Sequence, residues 1–210
     1  MNFVVSASTL LKHLKSIGGV LNSNNTIPIL DCFLFEINKD ELVLSASDME
    51  TTITTSLKVE SNETGSIAIP AKTLLDALAN LPEQPISFIL DKTKHSIKLK
   101  TETGDYNISG QNGEEYPKLP ALESQSSNVI KSDVLANAIN KTIFATGNDD
   151  LRPVMSGVFC QFTETNSIFV ATDAHKLVRY TRNDAKAGAS ASFIMPKKPT
   201  LMNSLCARAQ

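Results

Sequence analysis

The chain contains no tryptophan, only three histidines and three cysteines among 210 residues, and no uncharged apolar run long enough to cross a bilayer as a helix. The cysteines, Cys32, Cys160 and Cys206, are odd in number, far apart and without a CxxC pair. They imply neither a disulfide framework nor a structural zinc site, and such usage fits a reducing cytoplasm. His13 and His95 have no acidic or cysteine partners at ligand spacing, so no metal or other cofactor is expected. Gly18-Gly19 is not followed by Lys-Ser/Thr, which excludes a phosphate loop and leaves helix termination. The opening MNFVVSASTLLKHLKS lacks a basic leader followed by an unbroken apolar core, so it reads as part of a domain. Aromatics make up 6% of the chain, too few and too scattered for a stacking platform that would grip a single strand.

The chain does contain an internal repeat. At an offset of 125 residues, TIPILDCFLFEINKDELVLSASDME (26–50) falls on LRPVMSGVFCQFTETNSIFVATDAHK (151–176), with Pro28 on Pro153, Ala46 on Ala171, Ser47 on Thr172 and Asp48 on Asp173. The register extends back to Val4, Val5, Leu10 and Leu14 on Val129, Ile130, Leu135 and Ile139. After one inserted residue it extends forward, with SIAIPAKTLLDAL (66–78) on SFIMPKKPTLMNSL (192–205). One offset held through strand, turn and helix patterns indicates duplication. The boundaries expected from it are 1–122 for a first domain and 128–210 for a second. The first copy continues through PISFIL, SIKLK and YNISG, for which the second has no counterpart, so the second copy is expected to be C-terminally truncated.

Each copy reads as a short strand, a helix (7–20 and 132–146), strands (30–37, 41–47 and 51–59; 154–162, 167–172 and 176–182) and a helix opened by Ile-Pro or Met-Pro (71–80 and 197–207). Ser132 stands at an N-cap position and Gly18-Gly19 at a stop. The fold class is α+β, each domain placing two helices on one face of antiparallel sheets. GQNGEEYPKLPALESQSS (110–127) reads as the interdomain linker.

The charge is unevenly distributed. The four helical windows hold Lys12, Lys15, Lys72, Lys131, Lys141, Lys197, Lys198 and Arg208 against Asp76 and Asp133, although the chain as a whole carries −2. A basic helical layer over an acidic remainder suits sequence-independent binding of a duplex through its phosphates.

VATDAHKLVRY (170–180) places Asp173 two residues before His175. As an acid/base pair it lacks a nucleophile and an orienting third group, and as a metal site it offers two ligands. The repeat separates the pair. Asp173 has the counterpart Asp48, which favours a structural turn, whereas Glu50 replaces His175.

Four motifs occur in order: (F/V)VxxxxLLKxLxxIGGVLxxxxTIPIL, IPAKxLLDALxxLP, YPKLP and LRPVMSGVF…VATDAHKLVRY. Together they resemble the bacterial sliding clamp, the beta subunit of DNA polymerase III, over residues 1–205. The resemblance implies three similar domains in a full chain and two chains closing head to tail into a six-domain ring around double-stranded DNA, with helices lining the hole. This chain would supply the first domain and most of the second, and lacks the third. It implies a non-catalytic accessory subunit of a DNA polymerase, which is itself a nucleotidyltransferase.

It further implies that Arg152, Val154, Met155, Thr172, Ala174, His175, Lys176 and Leu177 wall an apolar pocket in which short linear motifs of the replicative polymerase, the clamp loader and repair proteins dock. Lys12, Asn24, Lys72, Lys141, Lys197 and Lys198 become the DNA contacts. Ala174 stands where members usually have Gly, and Lys176 where they commonly have Arg. The alternative is a truncated fragment that docks peptides without closing a ring.

Overall fold

A computed structural model describes residues 2–21, 27–49, 51–61, 63–91, 93–117, 129–148 and 151–197. The chain divides into two compact units, Met1–Pro120 and Ala121–Gln210.

In the first unit, β1 (Asn2–Ser6) leads into α1 (Ala7–Gly18). Then come β2 (Cys32–Asn38), β3 (Glu41–Ser47), β4 (Thr52–Lys58), β5 (Gly65–Pro70), α2 (Ala71–Ala79), β6 (Pro85–Asp91), β7 (Ser96–Thr101), β8 (Gly104–Ser109) and the two-residue β9 (Gln111–Asn112). They form two sheets, ordered β1-β6-β7-β8 and β4-β3-β2-β5-β9. Every pairing is antiparallel.

Helix α1 buries Ala7, Leu10, Leu14 and Ile17, a single stripe at helical spacing, and packs beside α2, which buries Ala71, Leu74 and Leu78. The core closes between the sheets, where Phe3 stacks on Phe88 at 4.7 Å and Phe35 meets the same ring at 6.2 Å.

The start of α1 is secured twice. Ser6 caps it by accepting from the Thr9 amide at 3.3 Å, and the Glu83 carboxylate accepts from the Ser8 amide at 3.1 Å and the Ser6 hydroxyl at 2.6 Å. These hydrogen bonds, from Ser6 first, lower the Glu83 pKa. The helix ends at Gly18, but the following Gly19 is right-handed (φ −65°), so the stop does not use a left-handed glycine.

The second unit holds α3 (Ser132–Asn140), β10 (Gly157–Phe162), β11 (Ser167–Thr172), β12 (Leu177–Arg182) and β13 (Ala191–Pro196). Its antiparallel sheet has the order β12-β11-β10-β13, the arrangement of β4-β3-β2-β5 again. Val158, Cys160, Phe169 and Ala171 line its buried face with Ala138 of α3.

Four sequence expectations need correction here. The helix placed at 132–146 stops at Asn140, because the Thr142 hydroxyl donates back to the Ala138 and Ile139 carbonyls at 2.9 and 3.3 Å and a 3-10 turn follows at Ile143–Ala145. Its N-cap is Lys131, not Ser132, and makes no side-chain capping bond. The strand placed at 154 begins only at Gly157, after a 3-10 turn over Pro153–Met155 that matches the turn at Pro28–Asp31. Val129 and Ile130, the counterparts of β1, form no strand. In the first unit β1 pairs with β6, and among the described residues of the second unit no strand takes the part of β6. Except for Lys197, the helix expected at 197–207 lies outside the described residues.

Candidate docking face

The segment that follows β11 is a tight turn with its own hydrogen-bond set. Asp173 Oδ1 accepts from the backbone amides of His175 and Lys176 at 3.0 and 2.9 Å, and its Oδ2 pairs with the Lys176 ammonium at 2.6 Å. The Thr172 hydroxyl accepts from the Ala174 amide at 3.2 Å and donates to the Lys176 carbonyl at 2.8 Å. The first unit repeats this chemistry at the same offset. Asp48 Oδ1 accepts from the Thr51 amide at 2.7 Å, and the Ser47 hydroxyl accepts from the Met49 amide at 3.2 Å. Both turns put a non-glycine residue in the left-handed region, Met49 at φ 77° and Ala174 at φ 76°. The Asp173 carboxyl is therefore committed to the turn. The side-chain bond from Lys176 comes first, then the two backbone amides, and together they hold it below the ordinary carboxylate range.

Strand register decides which residues share the surface beyond this turn. On the face opposite the buried core, Ile194, Phe159, Val170 and Arg179 form one row across the sheet, and Thr172 pairs with Leu177 in the next. Leu177 is 67% exposed, and Val154, on the turn before β10, is 64% exposed. The loops are drawn together by the Gly147 amide, which donates to the Met155 carbonyl at 2.8 Å, and by Gly147 itself, which lies against Asp173.

The sequence singled out Val154, Met155, Thr172, Ala174, His175, Lys176 and Leu177, and these border an apolar sheet face. Arg152 precedes the Pro153–Met155 turn and is exposed. Sequence reasoning missed Phe159, Val170 and Ile194. Alternation along β10, β11 and β13 would have shown them, had the cross-strand register been known. The ammonium of Lys176 is engaged by Asp173, so it borders the face as part of the turn.

The same face of the first unit is covered from within. Tyr116 is buried there against Ile29, Cys32, Leu34 and Ala68. Its hydroxyl accepts from the Ser47 amide at 3.0 Å and donates to the Cys32 carbonyl at 3.3 Å. Burial first of all pushes this phenol up to about 12. The segment read from sequence as linker thus contributes an anchor to the first unit.

The sequence-predicted DNA contacts are dispersed. Lys12 and Lys72 are exposed on α1 and α2. Lys141 follows α3 and stands 6.0 Å from the Tyr180 ring centre. Lys197 donates to Asn148 Oδ1 at 2.7 Å, which ties the end of β13 to a neighbouring loop. Asn24 and Lys198 lie outside the described residues.

A duplicated α+β unit, whose outer sheet face is covered by Tyr116 in the first copy and exposed among the described residues of the second, defines the class as a tandem-repeat α+β protein. The model of the DNA polymerase III beta subunit N-terminal domain matches residues 1–120, and that of the central domain matches 129–205. The chain belongs to the DNA polymerase III beta subunit family.

Among curated relatives, the beta sliding clamp of Vibrio cholerae is 25% identical over 202 residues, covering 96% of this chain and 55% of that protein. That of Halalkalibacterium halodurans is 27% identical over 185 residues, covering 84% and 48%. The chain spans about half the length of the curated relatives it matches. The sliding clamp structure from Bacillus subtilis superposes with a TM-score of 0.89 at 23% identity, over 98% of this chain and 56% of that one. The Caulobacter crescentus pol III beta structure gives 0.89 at 24%, over 100% and 58%. The architecture is therefore that of the sliding clamp.

Proposed function

We propose that the chain acts in DNA replication as part of a processivity factor, holding a polymerase on duplex DNA without chemistry of its own. The observation that carries this reading is the exposed apolar face of the second unit, bordered by Val154, Thr172, Ala174, His175 and Leu177. An apolar patch rimmed by a rigid polar turn suits a short linear motif whose side chains bury in it while its backbone bonds to the rim. Family membership supports the partner class, which comprises the polymerase, the clamp loader and repair proteins. The Lys12 and Lys72 ammoniums, on two helices packed side by side, support contact with duplex phosphates, to which Asn24, Lys141, Lys197 and Lys198 would add. Two full-length chains of three such units would close a ring.

Duplex affinity measured across a salt series tests the DNA half of this reading. The unaltered chain should show log K falling linearly with log salt, and Lys12→Glu with Lys72→Glu should flatten the slope by about 0.9 per lost phosphate contact. An unchanged slope would remove these helices from the interface.

A further inference from the structure

On the outward side of the first unit's helix pair, one side chain runs against the charge of its neighbours. In α1, Lys12 stands two residues from both Leu10 and Leu14 of the buried stripe, which at about 100° per residue puts it in the middle of the exposed face. In α2, Asp76 stands two residues from both Leu74 and Leu78 and takes the same place. The helices pack side by side and bury matching residues, Ala7, Leu10 and Leu14 in one and Ala71, Leu74 and Leu78 in the other. In that alignment an aspartate answers a lysine. The other charged residues of the pair, Lys15 and Lys72, are exposed cations.

The fold makes no use of this carboxylate. Asp76 lies in the last turn of α2, where the carbonyl end of the helix dipole disfavours an anion. Asp133, by contrast, lies in the first turn of α3, where the dipole favours one. Asn80, which ends α2, donates its side-chain amide to the Asp76 backbone carbonyl at 2.8 Å and leaves the carboxylate alone. Lys72 is one turn away, at the spacing of an i,i+4 pair, yet among the described residues neither it nor any other cation forms an ion pair with Asp76. An exposed, unpaired anion at the unfavourable end of its helix acts on what approaches the face.

We propose that Asp76 limits the grip of the α1–α2 face on a DNA duplex. Its carboxylate repels the phosphates that Lys12, Lys15 and Lys72 attract, so the contact stays weak enough to pass from one phosphate to the next. This inference rests on the duplex-binding reading above and adds to it a residue that opposes binding. A unit charge about 8 Å from a phosphate in water changes affinity about twofold at low salt, and the effect fades once the Debye length shrinks to that distance.

The test is duplex affinity of the 210-residue chain, followed by fluorescence anisotropy at about 0.02 M and about 0.3 M salt. Asp76→Asn should bind about two- to fivefold more tightly at the lower salt and equally at the higher. Asp76→Lys should bind about tenfold more tightly at the lower salt, with a salt slope steeper by about 0.9, the value of one added phosphate contact. Asp76→Glu, which keeps the charge, should stay within about twofold of the unaltered chain at both salts. The unfolding temperature of Asp76→Asn should be no lower than that of the unaltered chain, because an anion has been taken from the carbonyl end of a helix. Lys12→Glu with Lys72→Glu separates two failures. If that variant binds more weakly while Asp76→Asn and Asp76→Lys bind as the unaltered chain does, the limiting role of Asp76 is overturned and the duplex reading stands. If none of these variants changes the affinity, or the unaltered chain binds no duplex, both are overturned. A gain with Asp76→Asn that persists undiminished at the higher salt would also overturn the proposal, since a charge effect must be screened.

Discussion

At the scale of single residues, the turn Asp173–Lys176 and the anchor Tyr116 carry most of what can be tested. Ala174 holds φ 76°, a conformation that costs an L residue about 1 kcal/mol or more, so Ala174→Gly should raise stability by about 0.5–1 kcal/mol in urea denaturation. A β-branched residue there should lower it. Asp173 is held below the ordinary carboxylate range, so its contribution is complete above the unfolded value near 4 and is lost as pH falls through the lower folded value. Its carboxyl carbon, followed by NMR, should still report an ionised group at a pH where an unpartnered aspartate is half protonated. Tyr116→Phe removes the acceptor for the buried Ser47 amide, and a loss of about 1–2 kcal/mol is expected, measured by thermal unfolding with the first unit's signals.

The paired aspartates were legible in the sequence because identical side chains recur at one offset and cap the same turn. Tyr116 was not, because nothing local says that a tyrosine in a proline-containing stretch will reach back to Cys32 and Ser47 across more than 65 positions.

At the scale of elements, agreement followed the strength of local pattern. Helix α1 was readable from Leu10, Leu14 and Ile17 at helical spacing, and β3 and β11 from apolar alternation. The shortening of α3 was not readable, since Thr142 ends it by bonding back to carbonyls that a helix pattern treats as already used. Nor was the cap that Glu83 provides to α1, a tertiary contact whose counterpart position in the repeat is Ala209.

Glu83→Gln should destabilise α1, read as faster amide exchange at Ser8 and Thr9, because a neutral amide is a weaker acceptor than the carboxylate. Unchanged exchange would mean that Ser6 alone secures the helix start. The basic layer was legible only as a count. Lys12 and Lys72 keep exposed positions on adjacent helices, whereas Lys197 makes a hydrogen bond to Asn148 that phosphate would have to displace.

At the scale of the molecule, one architecture is used twice with opposite surface outcomes. The first unit closes its outer sheet face with its own Tyr116, and the second leaves Val154, Leu177 and Ile194 to solvent. Duplication explains why the turn, the sheet order and the left-handed residue recur. Among the described residues, the outer sheet face of the second copy is open. The proposed function rests on that face. The most direct measurement is calorimetric titration of the chain with a short linear-motif peptide from the replicative polymerase of the same organism, repeated with His175→Ala, Leu177→Ala. Binding by the unaltered chain and at least tenfold weaker binding by the variant, a difference of about 1.4 kcal/mol, is the predicted result. Equal affinities, or no binding by the unaltered chain, would contradict the account.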